Sequence, residues 1–303
     1  MTALIIGAGG QDGRLLTQQL STAGWNVKVW RRDRGDLLAH PTMTRDALIA
    51  ANPEHIYYLA AYHHSSQDKA PEAGELFRAS FATHVTGLLY VLETMRTEFP
   101  KARLFYAASS HCFGSQPPTP VQDESAPLNP DNVYGITKTA GVHACRFYRE
   151  QHGLFASVGF LYNHESPYRG PEFVSTKIIR AAIDISRGKR DLLVLGDLSA
   201  QVDWGWAPDY VDAMTRILRV DGPGDFVIAT GEPHTVQEFA QLAFAGVGLD
   251  WRDHVEENPA IITKGKLGLV GNPAKLRAAT GWAPSVTFEQ MIRKLLDAAA
   301  AAT

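Results

Sequence analysis

Short apolar runs alternate with stretches of helical periodicity through the first half of the chain. Apolar positions three and four residues apart predict helices after Gly13, over residues 83–96 and from Tyr134 towards Gln151. Strands that alternate with helices in this way indicate a parallel, doubly wound α/β sheet. The apolar runs have the length of buried strands, and they cover residues 3–6, 25–30, 56–59, 104–108 and 155–161.

The pattern becomes irregular after Asn163. This change predicts a smaller second region that binds the substrate. A short strand over 225–229 and a turn with a short helix over 269–281 are expected there. Longer helices are expected over residues 172–187, 209–220, 235–245 and 288–300. We expect residues 1–162, with about 206–231, to form a first domain, and 163–205 with 232–303 to form a second.

A glycine-rich turn joins the first strand to the first helix. Its glycines are Gly7, Gly10 and Gly13, with Gln11 and Asp12 between them. Glycine lets the backbone approach a pyrophosphate closely, and the free N–H groups at the helix start bind it. The alternative is a flexible turn without a ligand, but the flanking strand and helix favour a dinucleotide site.

Two further segments refine the expected cofactor. Arg31 and Arg32 follow the second strand, where an NAD site usually has an acidic residue, and arginine suits a 2′-phosphate. NADP is therefore favoured and NAD is less expected. Ala60 and Ala61 end the third strand, and their small side chains leave room for a ligand.

Composition excludes several other function classes. The 303 residues are 45% hydrophobic and 20% charged with a net charge of −3, so neither a nucleic-acid partner nor a basic tail is expected. Cys112 and Cys145 form no disulfide or metal pattern, and we expect the reducing cytoplasm. The N-terminus lacks the basic start of a signal peptide, and no apolar run reaches the roughly 20 residues that span a bilayer.

Tyr134 and Lys138 lie four residues apart, on one face of the predicted helix. A cation beside a phenol stabilises the phenolate and lowers the tyrosine pKa, which would make Tyr134 a general acid or base. The alternative is a surface lysine beside a half-buried tyrosine. The glycine turn upstream favours the catalytic interpretation.

Several motifs together resemble the extended short-chain dehydrogenase/reductases that act on nucleotide sugars. Within that group the chain is most similar to the GDP-mannose 4,6-dehydratases and the GDP-6-deoxy-hexose reductases. The resemblance implies a Rossmann-type sheet with a smaller, discontinuous C-terminal substrate-binding domain. The motifs lie at residues 10–13, 57–61, 134–138, 163–167, 169–170, 173–174, 203–205, 209–211 and 281–282.

The resemblance implies roles for particular residues. Ser109 would bind the sugar 4-hydroxyl, Tyr134 would take its proton, and Lys138 would hold the nicotinamide ribose. Asp36 and Leu37 would contact the adenine. Substrate contacts are expected from His64, Ser110, Asn163, Glu165, Arg169, Val174, Lys177 and Trp204.

The chain departs from this family at the base that drives dehydration. The family places a glutamate two residues after the serine or threonine, and this chain has His111 there. A neutral imidazole can act as a base, its conjugate acid can protonate a leaving group, and it can also orient a hydroxyl. His63, His64, His111 and His164 match no metal-binding spacing, so no metal is expected.

Two other departures concern phosphate binding and the sheet. Val202 and the segment 262–266 stand where the family has arginines. Either the diphosphate is bound by other cations, namely Lys264, Lys266 or Arg169, or the substrate is not a standard nucleotide sugar. The segment after Arg32 is shortened, which implies the loss of one strand and of a loop that helps to build family tetramers. A homodimer through residues 83–96 and 134–150 is therefore expected more than a tetramer.

These observations predict an NADP-dependent enzyme that oxidises C4 of a hexose, most simply for 4,6-dehydration. A 4-keto-sugar reductase or epimerase would use the same Ser109, Tyr134 and Lys138. A catalytically silent NADP-binding protein is a third hypothesis, although a pure binder has no need of Tyr134.

Overall fold

The computed structural model describes residues 1–30, 41–62, 72–258, 260 and 268–301, with backbone alone for 41–44. The strands are β1 (Thr2–Ile6), β2 (Asn26–Trp30), β3 (His55–Tyr58), β4 (Arg103–Ser109), β5 (Val121–Gln122), β6 (Phe155–Leu161), β7 (Asn163–Glu165), β8 (Leu193–Leu195), β9 (Gln201–Trp206), β10 (Asp225–Ile228), β11 (Pro233–Thr235), β12 (Val255–Glu257) and β13 (Val270–Gly271). The helices are α1 (Gln11–Thr22), α2 (Pro41–Ala51), α3 (Ala73–Phe81), α4 (Gly87–Glu98), α5 (Val133–His152), α6 (Val174–Ser186), α7 (Ala207–Ile217), α8 (Val236–Ala245), α9 (Ala274–Thr280) and α10 (Phe288–Ala301).

A six-stranded parallel sheet organises the first part of the chain, in the order β2–β1–β3–β4–β6–β10. Side chains alternate between the two faces of β1, so Leu4 and Ile6 pack on one side while Ala3 and Ile5 pack on the other. Helices α2, α4 and α5 cover the first face, and α1 and α7 cover the second. The predicted doubly wound α/β fold is confirmed.

Within the described ranges, β2 and β10 are the edge strands of this sheet. The loss of one strand after Arg32 stays a prediction, because residues 31–40 lie outside the described part of the chain. None of the helices that the structure describes is long and apolar enough to cross a membrane.

A second hydrophobic core lies among α6, α8 and α10, with β8 and β12 beside it. Its chain segments also form a small sheet, β11–β9–β7, which the sequence pattern did not predict. These strands are three to six residues long, too short to show a clear alternation. The division of the chain into a cofactor domain and a substrate domain stays a prediction.

The helix predicted over 83–96 contains a π-helical turn, Ala82–Thr86, between α3 and α4. A π turn leaves backbone carbonyls without their usual helical donors. Two buried tyrosines on neighbouring strands supply them, because Tyr58 Oη donates to the Thr83 carbonyl at 2.6 Å and Tyr106 Oη donates to the His84 carbonyl at 3.2 Å. The sheet therefore fixes the irregular turn, and the turn places the His84 side chain.

Candidate active site

The glycine turn between β1 and α1 packs tightly against the end of β3. Gly7 has φ +95°, and a Cβ atom there would lie 2.6 Å from the Ala60 nitrogen. A Cβ on Gly13 would lie 2.5 Å from the Gly7 carbonyl oxygen. Gly10 caps α1 without a side-chain hydrogen bond, so no side chain of the cap occupies the helix start. This backbone cradle fits a pyrophosphate group.

Ser109 is the last residue of β4, and a 3₁₀ turn, Ser110–Phe113, follows it. The Ser109 hydroxyl accepts a hydrogen bond from the His111 backbone N–H at 3.2 Å. Ser109 and Ser110 are both buried. The strand end and the turn thus fix Ser109 and His111 relative to each other.

The start of α5 carries Tyr134 next to His111. Asn132 caps the helix, since its Oδ1 accepts from the Gly135 N–H at 2.9 Å. The Asn132 amide nitrogen lies 3.3 Å from His111 Nδ1 and therefore points a donor at that atom. Asn132 was not among the predicted site residues, although an asparagine two positions before Tyr134 is a recognisable N-cap.

Two imidazoles hold the ring of Tyr134 from its sides. The His84 and Tyr134 ring centroids are 5.2 Å apart at 88°, and those of His111 and Tyr134 are 5.8 Å apart at 82°. His84 is fully buried, and its Nε2 accepts the Tyr62 backbone N–H at 3.0 Å. No sequence motif pointed to His84, because its position depends on the π turn.

Lys138 lies behind Tyr134 and is buried. Its Nζ donates to the Ala107 carbonyl of β4 at 2.7 Å and lies 5.8 Å from the centre of the Tyr134 ring. Burial lowers the pKa of Lys138 to about 8. The prediction of a lowered Tyr134 pKa is wrong for the protein without ligands, because burial raises the pKa of Tyr134.

The two residues between the glycines connect the turn to β7. Gln11 Nε2 donates to the His164 carbonyl at 3.0 Å, and Gln11 Oε1 accepts from the Ser166 hydroxyl at 2.8 Å. The Asp12 carboxylate contacts His164 Nε2 at 3.0 Å. Burial opposes ionisation of Asp12, but the neighbouring His164 imidazole holds the pKa of this carboxyl below its ordinary value.

The predicted substrate contacts lie in several environments. Asn163 is exposed at the start of β7, and Val174 and Lys177 are half-buried at the start of α6. Glu165 is buried and accepts from the Ser175 hydroxyl at 2.6 Å. Arg169 Nε lies 3.4 Å from the Glu165 carboxylate without hydrogen-bond geometry, and it has no other hydrogen-bond partner in the described part of the chain.

Trp204, a predicted substrate contact, is largely buried. It is 3% exposed, and its ring packs in the second core against Phe239 and stacks on Phe288. Its position on the short strand β9 explains this burial, because that strand lines the core of α6, α8 and α10. Trp204 thus packs in this core and also lines a cavity with Gly205, Trp206 and His234, and its predicted substrate contact stays a prediction.

Other predicted contacts lie outside the described residues. They are Arg31, Arg32, Asp36, Leu37, His64, Lys264 and Lys266. Their assignments stay predictions.

Comparison with known proteins gives one consistent family. The GDP-mannose 4,6 dehydratase family model matches residues 33–295. GDP-mannose 4,6 dehydratase 1 of Arabidopsis thaliana is 35% identical over 327 residues, covering 97% of this chain and 88% of the relative. GDP-mannose 4,6-dehydratase of Yersinia enterocolitica is 31% identical over 351 residues, covering 97% and 92%.

Solved structures agree with the fold. RMD from Pseudomonas aeruginosa, complexed with NADPH, superposes with a TM-score of 0.86 at 21% identity and covers 100% of both chains. dTDP-glucose 4,6-dehydratase from Bacillus anthracis, in complex with NAD, gives a TM-score of 0.83 at 18% identity and covers 98% and 96%. At these identities the structures establish the Rossmann-type architecture.

Proposed function

Since this chain belongs to the GDP-mannose 4,6 dehydratase family, we propose that it oxidises C4 of a nucleotide-linked hexose and completes a 4,6-dehydration. The observation that supports this most directly is the set of contacts that connects Ser109, Tyr134 and Lys138. The His111 N–H donates to Ser109, the His111 ring lies beside that of Tyr134, and Lys138 Nζ lies 5.8 Å from the centre of the Tyr134 ring. Ser109 comes from β4 and the other two residues from α5, and a purely structural role would not require all three together.

NADP is the proposed cofactor, and it would accept the hydride from C4. Gly7, Gly10 and Gly13 would hold the pyrophosphate, with Gln11 and Asp12 fixing the turn from behind. Ala60 and Ala61 would border the nicotinamide side, Lys138 would bind its ribose, and Asp36 with Leu37 would contact the adenine. Arg31 and Arg32 would hold the 2′-phosphate, in agreement with the NADPH found in the Pseudomonas aeruginosa structure.

Tyr134 would exchange a proton with the sugar 4-oxygen while Ser109 hydrogen-bonds that oxygen. Burial keeps the Tyr134 phenol protonated in the free protein. Formation of a phenolate therefore needs a cation nearby, and Lys138 is charged below its pKa of about 8. The two groups together would let protons move to and from the 4-oxygen near neutral pH.

His111 would carry out the step after oxidation, either as the base at C5 or as the acid at the C6 hydroxyl. The centroid of its ring lies 5.8 Å from that of the Tyr134 ring, so both side chains could reach one sugar. Asn132 presents a donor to His111 Nδ1, which favours the tautomer that carries its proton on Nε2. That neutral tautomer would donate a hydrogen bond to a sugar hydroxyl, whereas a base at C5 would need the unprotonated nitrogen to face the substrate. This observation therefore supports the second candidate, a 4-keto-sugar reductase or epimerase.

Arg169 and Lys177 are proposed to bind the diphosphate in place of the family arginines. The buried Arg169 Nε has an unmet hydrogen-bond capacity within the described residues. Burial lowers the pKa of Lys177, as expected for an amine that faces a cleft. Ser110, Asn163, Glu165, Val174 and His64 would complete the sugar and nucleotide contacts.

The reaction itself separates the candidates. Purified protein is incubated with GDP-mannose and no added cofactor, and the products are identified by mass spectrometry and NMR. A 4-keto-6-deoxy sugar with catalytic turnover supports the dehydratase. Turnover that needs one NADPH per product identifies a reductase, and exchange of the C4 configuration identifies an epimerase. No reaction across a panel of nucleotide sugars, with NADP still bound, indicates the silent binding protein.

A His111→Ala variant tests the dehydration step separately. We expect C5–H exchange with deuterated solvent to fall by about 100-fold, since general acid–base groups contribute on that order. His111→Gln is the control that keeps the hydrogen bonding without the titration. Full C5 exchange in His111→Ala would exclude His111 as the base and would favour an orienting role.

A homodimer in the cytoplasm is proposed for the assembly and location. Phe77 and Phe81 on α3 and Phe147 on α5 are large apolar side chains that are 38%, 42% and 53% exposed, and α3 packs against α5. Apolar exposure of this kind favours an interface between copies. Light scattering should give about twice the monomer mass, and Phe147→Glu should reduce it to the monomer.

A further inference from the structure

The hydrogen bonds of His164 determine its charge. Its Nδ1 lies 2.6 Å from the Tyr162 carbonyl oxygen, and its Nε2 lies 3.0 and 3.1 Å from the two oxygens of the Asp12 carboxylate. A carbonyl and a carboxylate only accept hydrogen bonds, so both ring nitrogens must donate. A neutral imidazole has one N–H, and two N–H donors define an imidazolium. His164 is therefore a cation paired with Asp12.

The surroundings of His164 support a buried charge. It is 7% exposed, and its ring stacks on Tyr210 of α7 with centroids 4.5 Å apart at 19°. An aromatic face stabilises a cation above it. The charged groups near this ion pair are Glu165 on β7 and Arg169, which contacts Glu165 and acts on Asp12.

Asp12 occupies the first turn of α1, beside the glycine cradle. A carboxylate is favourable at an empty helix start, but it repels a second anion placed there. Cancelling the carboxylate charge removes that repulsion. His164 is the cation in direct contact with Asp12 among the described residues.

We propose that His164 is a positioning residue that donates from both ring nitrogens, as an imidazolium, and so neutralises Asp12, which lets the glycine turn accept an anionic dinucleotide. The inference rests on the proposed NADP site. It also links that site to β7, because the contact joins residues 152 positions apart.

Nitrogen NMR of ¹⁵N-histidine-labelled protein tests the charge without any cofactor. The His164 signal is assigned among the 11 histidines by its loss in His164→Gln. At pH 7.5 we expect both His164 nitrogens to be protonated in the wild type and only one in Asp12→Asn. A neutral His164 ring in the wild type would overturn the proposal.

NADPH affinity, measured by titration calorimetry, tests the consequence. His164→Gln leaves the Asp12 charge uncompensated. We expect the dissociation constant for NADPH to rise roughly tenfold, which corresponds to a loss of about 1.4 kcal/mol of binding free energy. The double variant Asp12→Asn/His164→Gln removes both charges and should bind NADPH several-fold more tightly than His164→Gln alone. An equal loss in the single and double variants would show a packing role and would overturn the proposal.

Asp225→Asn is the matched control, because it removes a carboxylate from a buried ion pair, with Arg146 and Arg149, away from the glycine turn. Its NADPH affinity should equal that of the wild type. A wild type that binds no NADPH would refute the proposed cofactor, while the NMR result would still decide the charge of His164.

Discussion

Two proposed parts of the site are built in different ways. One is the catalytic corner, formed by Ser109, Tyr134 and Lys138, and the other is the diphosphate region around Val202, Arg169 and Lys177. In the corner, backbone geometry places the reacting side chains: a strand end holds Ser109, a helix cap precedes Tyr134, and a strand carbonyl binds Lys138. In the diphosphate region, family recognition depends on long arginine side chains, and Val202 stands at one of their positions. Recognition in the proposed diphosphate region can therefore change by single substitutions, whereas the positions of Ser109, Tyr134 and Lys138 depend on the strand and helix that carry them.

The comparison predicts a large effect in the corner. Tyr134→Phe should lower kcat by about a thousandfold, because it removes the group that exchanges the proton. NADPH affinity should stay within about twofold, since the phenol is not needed to bind the pyrophosphate. Tyr148→Phe, on the same helix and outside the site, is the matched control. If Tyr134→Phe keeps a tenth of the activity, the corner does not carry the chemistry.

A smaller effect is expected from restoring an arginine in the diphosphate region. Val202→Arg should lower KM for GDP-mannose roughly tenfold with kcat unchanged, the gain of one charge-assisted hydrogen bond. Val202 is half-buried on β9, so a long side chain can reach the surface. Val202→Met controls for size without charge. Equal KM values for the two variants would show that the nucleotide lies elsewhere.

The smallest effect is expected in the pH dependence of the free energy of unfolding, which depends on how deeply Lys138 and Lys177 are buried. The folded pKa of Lys138 is about 8 and its ordinary value is 10.5, so the unfolded chain binds more protons between these values. The free energy of unfolding should therefore rise with pH from 8 to 10.5 in the wild type relative to Lys138→Met, by up to about 1 kcal/mol per pH unit.

Urea denaturation at half-unit pH steps measures this slope in the protein without ligands. Lys177→Met is the counterpart from the diphosphate region, where the lowering of the pKa is weaker because the amine is less buried. Its slope relative to the wild type should be the smaller of the two. Identical slopes for both variants would remove the distinction in burial.

Local sequence signals predicted most of the sheet and the common helix face of Tyr134 and Lys138. The strand expected over 155–161 is Phe155–Leu161 in the structure, and the Tyr134–Lys138 spacing does place both residues on one side of α5. The failures involve contacts between distant residues. The pairing of Asp12 with His164 and the burial of Trp204 depend on how the second region docks, which no local pattern encodes.

The tyrosine pKa was misjudged for a related reason. The sequence shows that a cation is near Tyr134, but it does not show how much water the fold removes from both groups. Desolvation raises the pKa of the phenol and lowers that of the amine, and here it exceeds their attraction. The spacing of Tyr134 and Lys138 can be seen in the sequence, but the burial of both side chains depends on the tertiary structure.

The π turn before α4 sets the rotational phase of the long helix that contains it. Seven and eleven residues separate Phe81 from Leu88 and Leu92, and at about 100° per residue an uninterrupted α-helix would align all three on one face. The turn inserts roughly one residue of rotation. Leu88 and Leu92 thereby face the sheet, while Phe81 is turned to the surface. The hydrogen bonds of Tyr58 and Tyr106 to the π turn thus help to determine that Phe81 lies on the protein surface, where another molecule could contact it.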